Sequence, residues 1–363
     1  MKVIRLNWIV TASAACLSLA LSTTALAQQY QIMPLDMPQG AADVYVRGIN
    51  NNGQIVGYTK DADGNSHATM WDNPTSFHEL VYLSSTNQYS EAYRINDAGQ
   101  IVGLALTVGI FGRAAYWDAG GVTDIGALGG SSSFANDINE AGVVVGSAAS
   151  GTTGSRAFSW TTSGGIVDLG NFNTTDKQQY AGYNGINNNG LMVGTAYRLF
   201  DPYRPTMGRA ADRAPTDIGV PGRVAGMSMA VNDAGTIVGW QNASGGAGGP
   251  CIFNGDGTVQ FLGNFGLGDG QALDINTAGQ IVGFAVGFDD NGQVNKSFLY
   301  QNGQMTDLMT LINDPGWTTF FDADAINDHG DIVGAGVYNG EIRGFVMMAV
   351  PEGPKSTGRN QRT

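Results

Sequence analysis

Nine residues recur seven times along this chain. "INDAGQIVG" at 95–103 returns as "INNNGQIVG" from Ile49, "INEAGVVVG" from Ile138 and "INNNGLMVG" from Ile186. It returns again as "VNDAGTIVG" from Val231, "INTAGQIVG" from Ile275 and "INDHGDIVG" from Ile326. The anchors are 46, 43, 48, 45, 44 and 51 residues apart. A repeat of this length, rich in β-branched residues and turn signals, builds a propeller sooner than a helical solenoid. No stretch sustains the 3.6-residue apolar period of a helix.

Each repeat divides into four short strands. The first ends at the Ile-Asn pair and the second is the "IVG" run. The third is an aromatic run such as "HATMW" at 67–71, "RAAYW" at 113–117 and "RAFSW" at 156–160. The fourth resembles "TDIGALG" at 123–129. In the Asn-x-x-Gly turn, the Asn side chain can bond the backbone two residues on, and Gly supplies a residue with positive φ. The second glycine, as in Gly57 and Gly103, sits inside a strand. There it costs roughly 0.5–1 kcal/mol against Ala, so its recurrence predicts close packing where blades converge.

The chain ends predict how the ring closes. "YQIMPL" at 30–35 aligns with a fourth strand and "RGFVM" at 343–347 with a third. The N-terminus is therefore expected to give the outer strand of the last blade and the C-terminus its inner three, leaving no free edge. The expected fold class is all-β, a single seven-bladed β-propeller of four-stranded antiparallel blades over 28–350, with a disordered tail at 351–363.

The aromatic run beginning "HA" at His67 and the stretch "TDIGALGGSSSFANDINEAGVVVGS" resemble the bacterial probable extracellular repeat of the HAF family. The resemblance spans nearly the whole chain after the leader and implies a secreted, β-rich repeat protein, without implying any particular activity. The fourth aromatic run departs from the pattern as "RPTMG" at 204–208, which makes that blade the least regular.

Lys2 and Arg5 precede an apolar, small-residue run that ends in Ala25-Leu26-Ala27, an A-x-A cleavage site. Residues 1–27 therefore read as a signal peptide, which predicts secretion to the periplasm or medium and no membrane span once the leader is removed. Without it the chain has 16 Lys and Arg against 31 Asp and Glu, a net of −15. That argues against nucleic acid and anionic lipid as partners, because neutralising phosphates needs a basic face. Cys251 is left without an intramolecular partner, so the fold is expected to rest on its core.

The strand order predicts two unlike faces. The Asn-x-x-Gly turns share one, and the long variable connections share the other, where binding residues concentrate. That face is expected to carry Tyr89, Phe134, Tyr180, Tyr203, Trp317 and Phe320 as exposed aromatics with nearby acids, a combination suited to sugar rings. The expected partner is an extracellular glycan or protein. "DADGNS" at 61–66 places Asp61, Asp63 and Asn65 at calcium-loop spacing, but Ser66 replaces the required Gly. It reads as a hairpin turn, with calcium as the alternative, and no other cofactor is indicated. The three histidines stand beside no nucleophile motif. A binding or scaffold propeller for extracellular carbohydrate or envelope components is the leading function, and a polysaccharide lyase or glycosidase and a protein–protein interaction scaffold are the alternatives.

Overall fold

The computed structural model describes residues 30–107, 111–151, 154–171, 179–198, 201–212, 214–222, 224–242, 248–289 and 292–350. The leader and the tail lie outside them. Among the described residues there are 28 strands and one short 3-10 turn, Leu308–Leu311, so the chain is an all-β propeller.

The repeats are numbered here by their Asn-x-x-Gly turns. In repeat 1 the strands are Asp43–Ile49, Ile55–Lys60, Ser66–Asn73 and Ser76–Glu79, paired in that order. Repeats 2, 5 and 6 each form a four-stranded sheet in the same way. The sheet of repeat 7 contains Trp317–Ile326, Ile332–Tyr338 and Glu341–Ala349. Its fourth strand is Tyr30–Pro34 from the other end of the chain, antiparallel, with Tyr30 opposite Ala349 and Pro34 opposite Phe345.

The expectation of seven separate sheets is corrected. Five sheets are four-stranded, and the strands of repeats 3 and 4 form one eight-stranded sheet. A single parallel pair, Ser155 with Tyr180, joins the two halves. The cause is local. Gly154 has φ +82°, and a Cβ there would lie 2.0 Å from the Gln179 carbonyl oxygen. Only glycine lets the two backbones approach this closely. The "RPTMG" segment does form a strand, Arg204–Gly208, although its outer partner is just Thr216–Asp217.

The core lies between sheets, because each first strand alternates and each "IVG" strand is buried on both sides. Val56, Ala68 and Met70 of repeat 1 pack against Ala92, Ile101 and Trp117 of repeat 2. Other clusters join neighbouring repeats in the same way. Full burial of such side chains is worth about 1.5–3 kcal/mol each, so the apolar faces of adjacent sheets hold the ring without a disulfide.

Candidate functional site: the two ends of the channel

Each first strand runs from a connecting loop towards its Asn-x-x-Gly turn. Residues early in these strands therefore sit at the long-loop end of the central channel, and the turns sit at the other.

At the turn end, the predicted backbone device is present and does more than expected. The glycines have positive φ, for example 77° at Gly53 and 83° at Gly330. The Asn50 side-chain oxygen accepts from the N–H groups of Asn52 and Gln54 at 3.1 and 2.9 Å. Its amide NH2 then crosses to the next repeat and donates to the Asn96 carbonyl at 3.0 Å. Asn96, Asn139, Asn187, Asn232 and Asn276 each repeat the step onto the following turn. Asn327 donates to the Asn50 carbonyl at 3.1 Å and completes the circle. Seven buried amides thus form a closed, head-to-tail ring.

The next residue in each turn builds a second ring outside the first. The Asn51 N–H donates to Asp97, that of Asp97 to Glu140, that of Glu140 to Asn188 and that of Asn188 to Asp233. The Thr277 N–H donates to Asp328 and that of Asp328 to Asn51. Between repeats 5 and 6 the link is missing, because the Thr277 hydroxyl turns to Asp328 at 2.8 Å. Inside this mouth Arg94 stands between Asp137 and Asp274, within a polar cavity. Burial pushes the Asp137 carboxyl up to about 6, and Arg94 opposes the shift. Asp137 accepts from the Ile138 and Ile186 N–H groups, and Asp274 does the same for Ile275 and Ile326. The polar groups of this mouth therefore hold repeats to one another.

The channel wall is shaped by bulges. Every first strand skips one residue before its turn: Arg47, Tyr93, Asn136, Asn184, Met229, Leu273 and Asp324. This explains the second glycine, and differently from the sequence expectation. A Cβ on Gly57 would lie 2.0 Å from the Tyr45 carbonyl oxygen, and one on Gly103 would lie 2.0 Å from that of Glu91. The close approach is to the bulged strand of the same sheet, not to a neighbouring blade. Skipped residues reach to the neighbouring repeat, as when Asn136 and Asn184 donate to the Tyr183 and Ser228 carbonyls.

Repeat 7 departs from this pattern. Its first strand has three register shifts, with extra ones at Trp317/Thr319 and Phe320/Asp322. Bulges re-aim side chains, and here they bring Asp322 and Asp324 to the same place. Arg47 of repeat 1 pairs with Asp324 at 2.9 Å. Asp322 lies close enough to share a hydrogen bond with Asp324, and it also accepts from the Ala335 N–H at 3.2 Å. Burial first, then the Asp324 charge, push the Asp322 carboxyl up to about 8, against the pull of Arg47. Two carboxylates this close favour sharing one proton. For Arg47, burial works against the charge, and Asp324 more than restores it.

Tyrosines surround this group. Tyr45 stacks on Tyr58 with ring centres 4.7 Å apart, and the Lys60 ammonium lies 4.9 Å from the Tyr45 centre. The Arg47 guanidinium lies 6.0 and 5.9 Å from the two rings. In repeat 2, Tyr89 and Tyr93 donate to the two oxygens of Glu91 at 2.6 and 2.8 Å. Burial, then Glu91, hold the Tyr93 hydroxyl well above its usual range.

The aromatics expected at this end divide into two groups. Phe134 is 40% and Tyr203 45% exposed, and Tyr89 and Tyr180 are half-buried. Tyr180 stacks on Tyr197 at 4.8 Å, and Tyr203 meets that ring edge-on at 4.7 Å. Trp317 and Phe320 are corrections. They are only 3% and 1% exposed and pack on each other and on Phe345. The long first strand of repeat 7 begins at Trp317, which carries both rings into the core and leaves neither for a ligand.

The Asp61 turn is a hairpin connection whose acceptors are engaged. One Asp61 oxygen accepts the Asp63 and Asn65 N–H groups, and the other accepts the Asn65 amide. Asp72, which stands where a calcium loop beginning at Asp61 would place its twelfth residue, faces His78 instead. Among the described residues no group of three or more His, Cys, Asp or Glu is placed to hold a metal ion. No helix there is long and apolar enough to cross a membrane.

No protein-family model matches the chain, and no curated protein matches it. Solved structures do. One is an oligogalacturonate lyase in complex with manganese, at 10% identity and TM-score 0.51, covering 90% of this chain and 94% of that one. Another is from an analysis of two prolyl endopeptidases, at 8% identity and TM-score 0.55, covering 90% of this chain and 51% of that one. At such identities the likeness is one of fold, and it agrees with the propeller described above.

Proposed function

We propose that this protein is a binding propeller that takes an extracellular glycan on its long-loop face. One observation carries the reading. Along the channel wall, from Tyr89 and Glu91 at that end to Arg47 and Asp324 nearer the turns, four tyrosines, Arg47, Glu91 and the Asp322–Asp324 pair form one polar and aromatic cluster, with Tyr58 and Asp324 at its buried base. Tyrosine faces stack on the apolar side of a sugar ring, and the charged groups and a proton-bearing carboxyl bond its hydroxyls. In repeat 4, Tyr180, Tyr197 and Tyr203 form a separate aromatic group. The turn end lacks such freedom, because its polar side chains are engaged between repeats.

The eight-stranded sheet counts in this reading as two blades fused at one residue pair, which makes a seven-bladed ring. The HAF-repeat resemblance and the leader at 1–27 support a secreted protein acting in the periplasm or medium. The carboxyl pair does not support glycoside hydrolysis. Its two groups share a hydrogen bond, whereas glycosidases hold theirs roughly 5–9 Å apart across the anomeric carbon.

The test is binding of the mature chain to immobilised neutral and acidic oligosaccharides, compared with Tyr45→Ala on the long-loop face and Asp97→Ser at the turn end. Loss with Tyr45→Ala alone is the expected result. Loss with Asp97→Ser alone would put the functional face at the turns.

A further inference from the structure

Repeat 1 carries a chain of four side chains that the ring does not need. The His67 Nε2 atom lies 3.2 Å from an Asp61 carboxylate oxygen, and its Nδ1 lies 2.8 Å from the Tyr82 hydroxyl. Tyr82 in turn donates to Glu79 at 2.7 Å. The chain ties three pieces together: the turn after Ile55–Lys60, the third strand, and the segment beyond Ser76–Glu79. Beside it opens a cavity of about 390 Å³, lined by Asn65, His67, Thr86, Asn87, Gln88 and Tyr89 among others. That volume lies within the range of small-ligand sites, roughly 300–1,000 Å³. Tyr89 belongs to both regions, since its hydroxyl donates to Glu91 at the channel mouth.

We infer that this cavity is a second subsite for the same ligand, holding one neutral sugar ring against Tyr89, and that the Asp61–His67–Tyr82–Glu79 chain gates it with pH. The inference rests on the glycan-binding reading above. The wall offers hydroxyl and amide groups that both donate and accept, as sugar hydroxyls require. Its carboxylates do not invite charge. Asp61 already accepts from Asn65 and the turn backbone, and with Glu91 nearby it repels an anionic sugar.

Gating follows from counting protons. Three hydrogen bonds need three protons, and both ends of the chain are carboxylates, which only accept. A neutral imidazole and a tyrosine hydroxyl supply two. The chain is complete only when the ring carries both N–H groups, a state that acid favours and base removes. The groups facing His67 are Asp61 from the turn, Tyr82 with Glu79 behind it, and the Tyr89–Glu91 pair across the cavity. In acid the turn and the 82–89 segment are held together. As pH rises, one link opens and the wall loosens.

The test uses the mature chain and immobilised oligosaccharides of neutral hexoses and N-acetylhexosamines, read at pH 5.5 and 7.5. Binding several-fold tighter at pH 5.5 is expected. Tyr82→Phe removes the central hydroxyl and so opens two links, and it should hold binding at the weaker pH 7.5 level or below at both pH values. Tyr89→Ala should weaken binding about tenfold or more, as loss of an aromatic anchor does. His67→Gln, a neutral partner at every pH, should match Tyr82→Phe. Binding unaffected by pH and by Tyr89→Ala, yet lost in Tyr45→Ala, would overturn the subsite and leave the glycan reading standing. No binding by the unaltered chain at either pH would overturn both.

Discussion

The asparagine ring makes a quantitative demand on stability, and Asn187 is the place to test it. Its side-chain oxygen accepts the N–H groups of Asn189 and Leu191 at 3.1 and 2.9 Å, and its amide donates to the Asn232 carbonyl at 2.8 Å. Asn187→Ala deletes all three bonds. Each is worth about 1 kcal/mol net. The Asn189 N–H sits in an exposed turn where water can replace the lost acceptor. The expected cost is therefore about 2–3 kcal/mol, against under about 1 kcal/mol for Asn189→Ala, which loses one exposed bond to the Asp233 carbonyl. Asn187→Asp adds a sign. It keeps one acceptor but turns a second oxygen towards the Asn232 carbonyl, where only a protonated carboxyl can donate. Its folded pKa should be raised, so its stability relative to the parent is best in acid and falls as pH rises. Urea unfolding followed by circular dichroism, at pH 4.5 and 7.5, measures all three variants. If Asn187→Ala costs no more than Asn189→Ala, or if Asn187→Asp shows no pH dependence, the ring is not a stabilising device.

Thr277→Asn should supply the missing outer link by accepting the Asp233 N–H, and its amide can bond Asp328 as Asn188 bonds Asp233. A gain of about 1 kcal/mol is expected, visible as a rise in Tm of about 1–2 °C. Deleting residues 28–37 removes the strand Tyr30–Pro34, so Tm should fall and light scattering should reveal association through the bared edge of Glu341–Ala349. An unchanged Tm and solubility would contradict the pairing. Burial and the Asp324 charge raise the Asp322 carboxyl in the fold above its unfolded value near 4, so the shared proton's contribution is full in acid and is lost as pH rises through the neutral range. Asp322→Asn should therefore gain on the parent in Tm as pH rises through that range and run parallel above it, as scanning calorimetry would show.

Much of the fold was readable because the repeat is built from backbone requirements. The Asn-x-x-Gly turns, the "IVG" strands and the terminal strand each have a local chemical reason, and each appears where its residues predict. The fusion of repeats 3 and 4 was not readable, since it depends on a backbone approach at Gly154. Trp317 and Phe320 were misplaced because the first strand of repeat 7 begins as early as Trp317, and loop aromatics and strand aromatics look alike in a sequence. Arg47 and Asp324 left a signal that went unread. Both stand two residues before an Ile anchor, and closure makes repeats 1 and 7 neighbours. Reading that one column around the ring gives Arg, Tyr, Asn, Asn, Met, Leu and Asp, with its two opposite charges side by side. Asp322 is different, because the extra bulge that aims it has no mark in the sequence.

The pairing of Tyr30–Pro34 with Glu341–Ala349 also sets an order of events. A chain made from its N-terminus produces this strand first and its partner last. Six repeats can pair internally as they appear, but the seventh cannot be finished until some 319 residues have been laid out between Tyr30 and Ala349. Closing so long a loop costs about 5 kcal/mol of chain entropy before any contact repays it. Until then the first strand is an unpaired apolar segment, and so is the edge that waits for it. The asparagine circle shares this history, since its last bond, from Asn327 to Asn50, can form only when the same gap has shut. Completion of the ring is thus a late, all-at-once event, and the interval before it is when a partner that shields bare strands has most to act on.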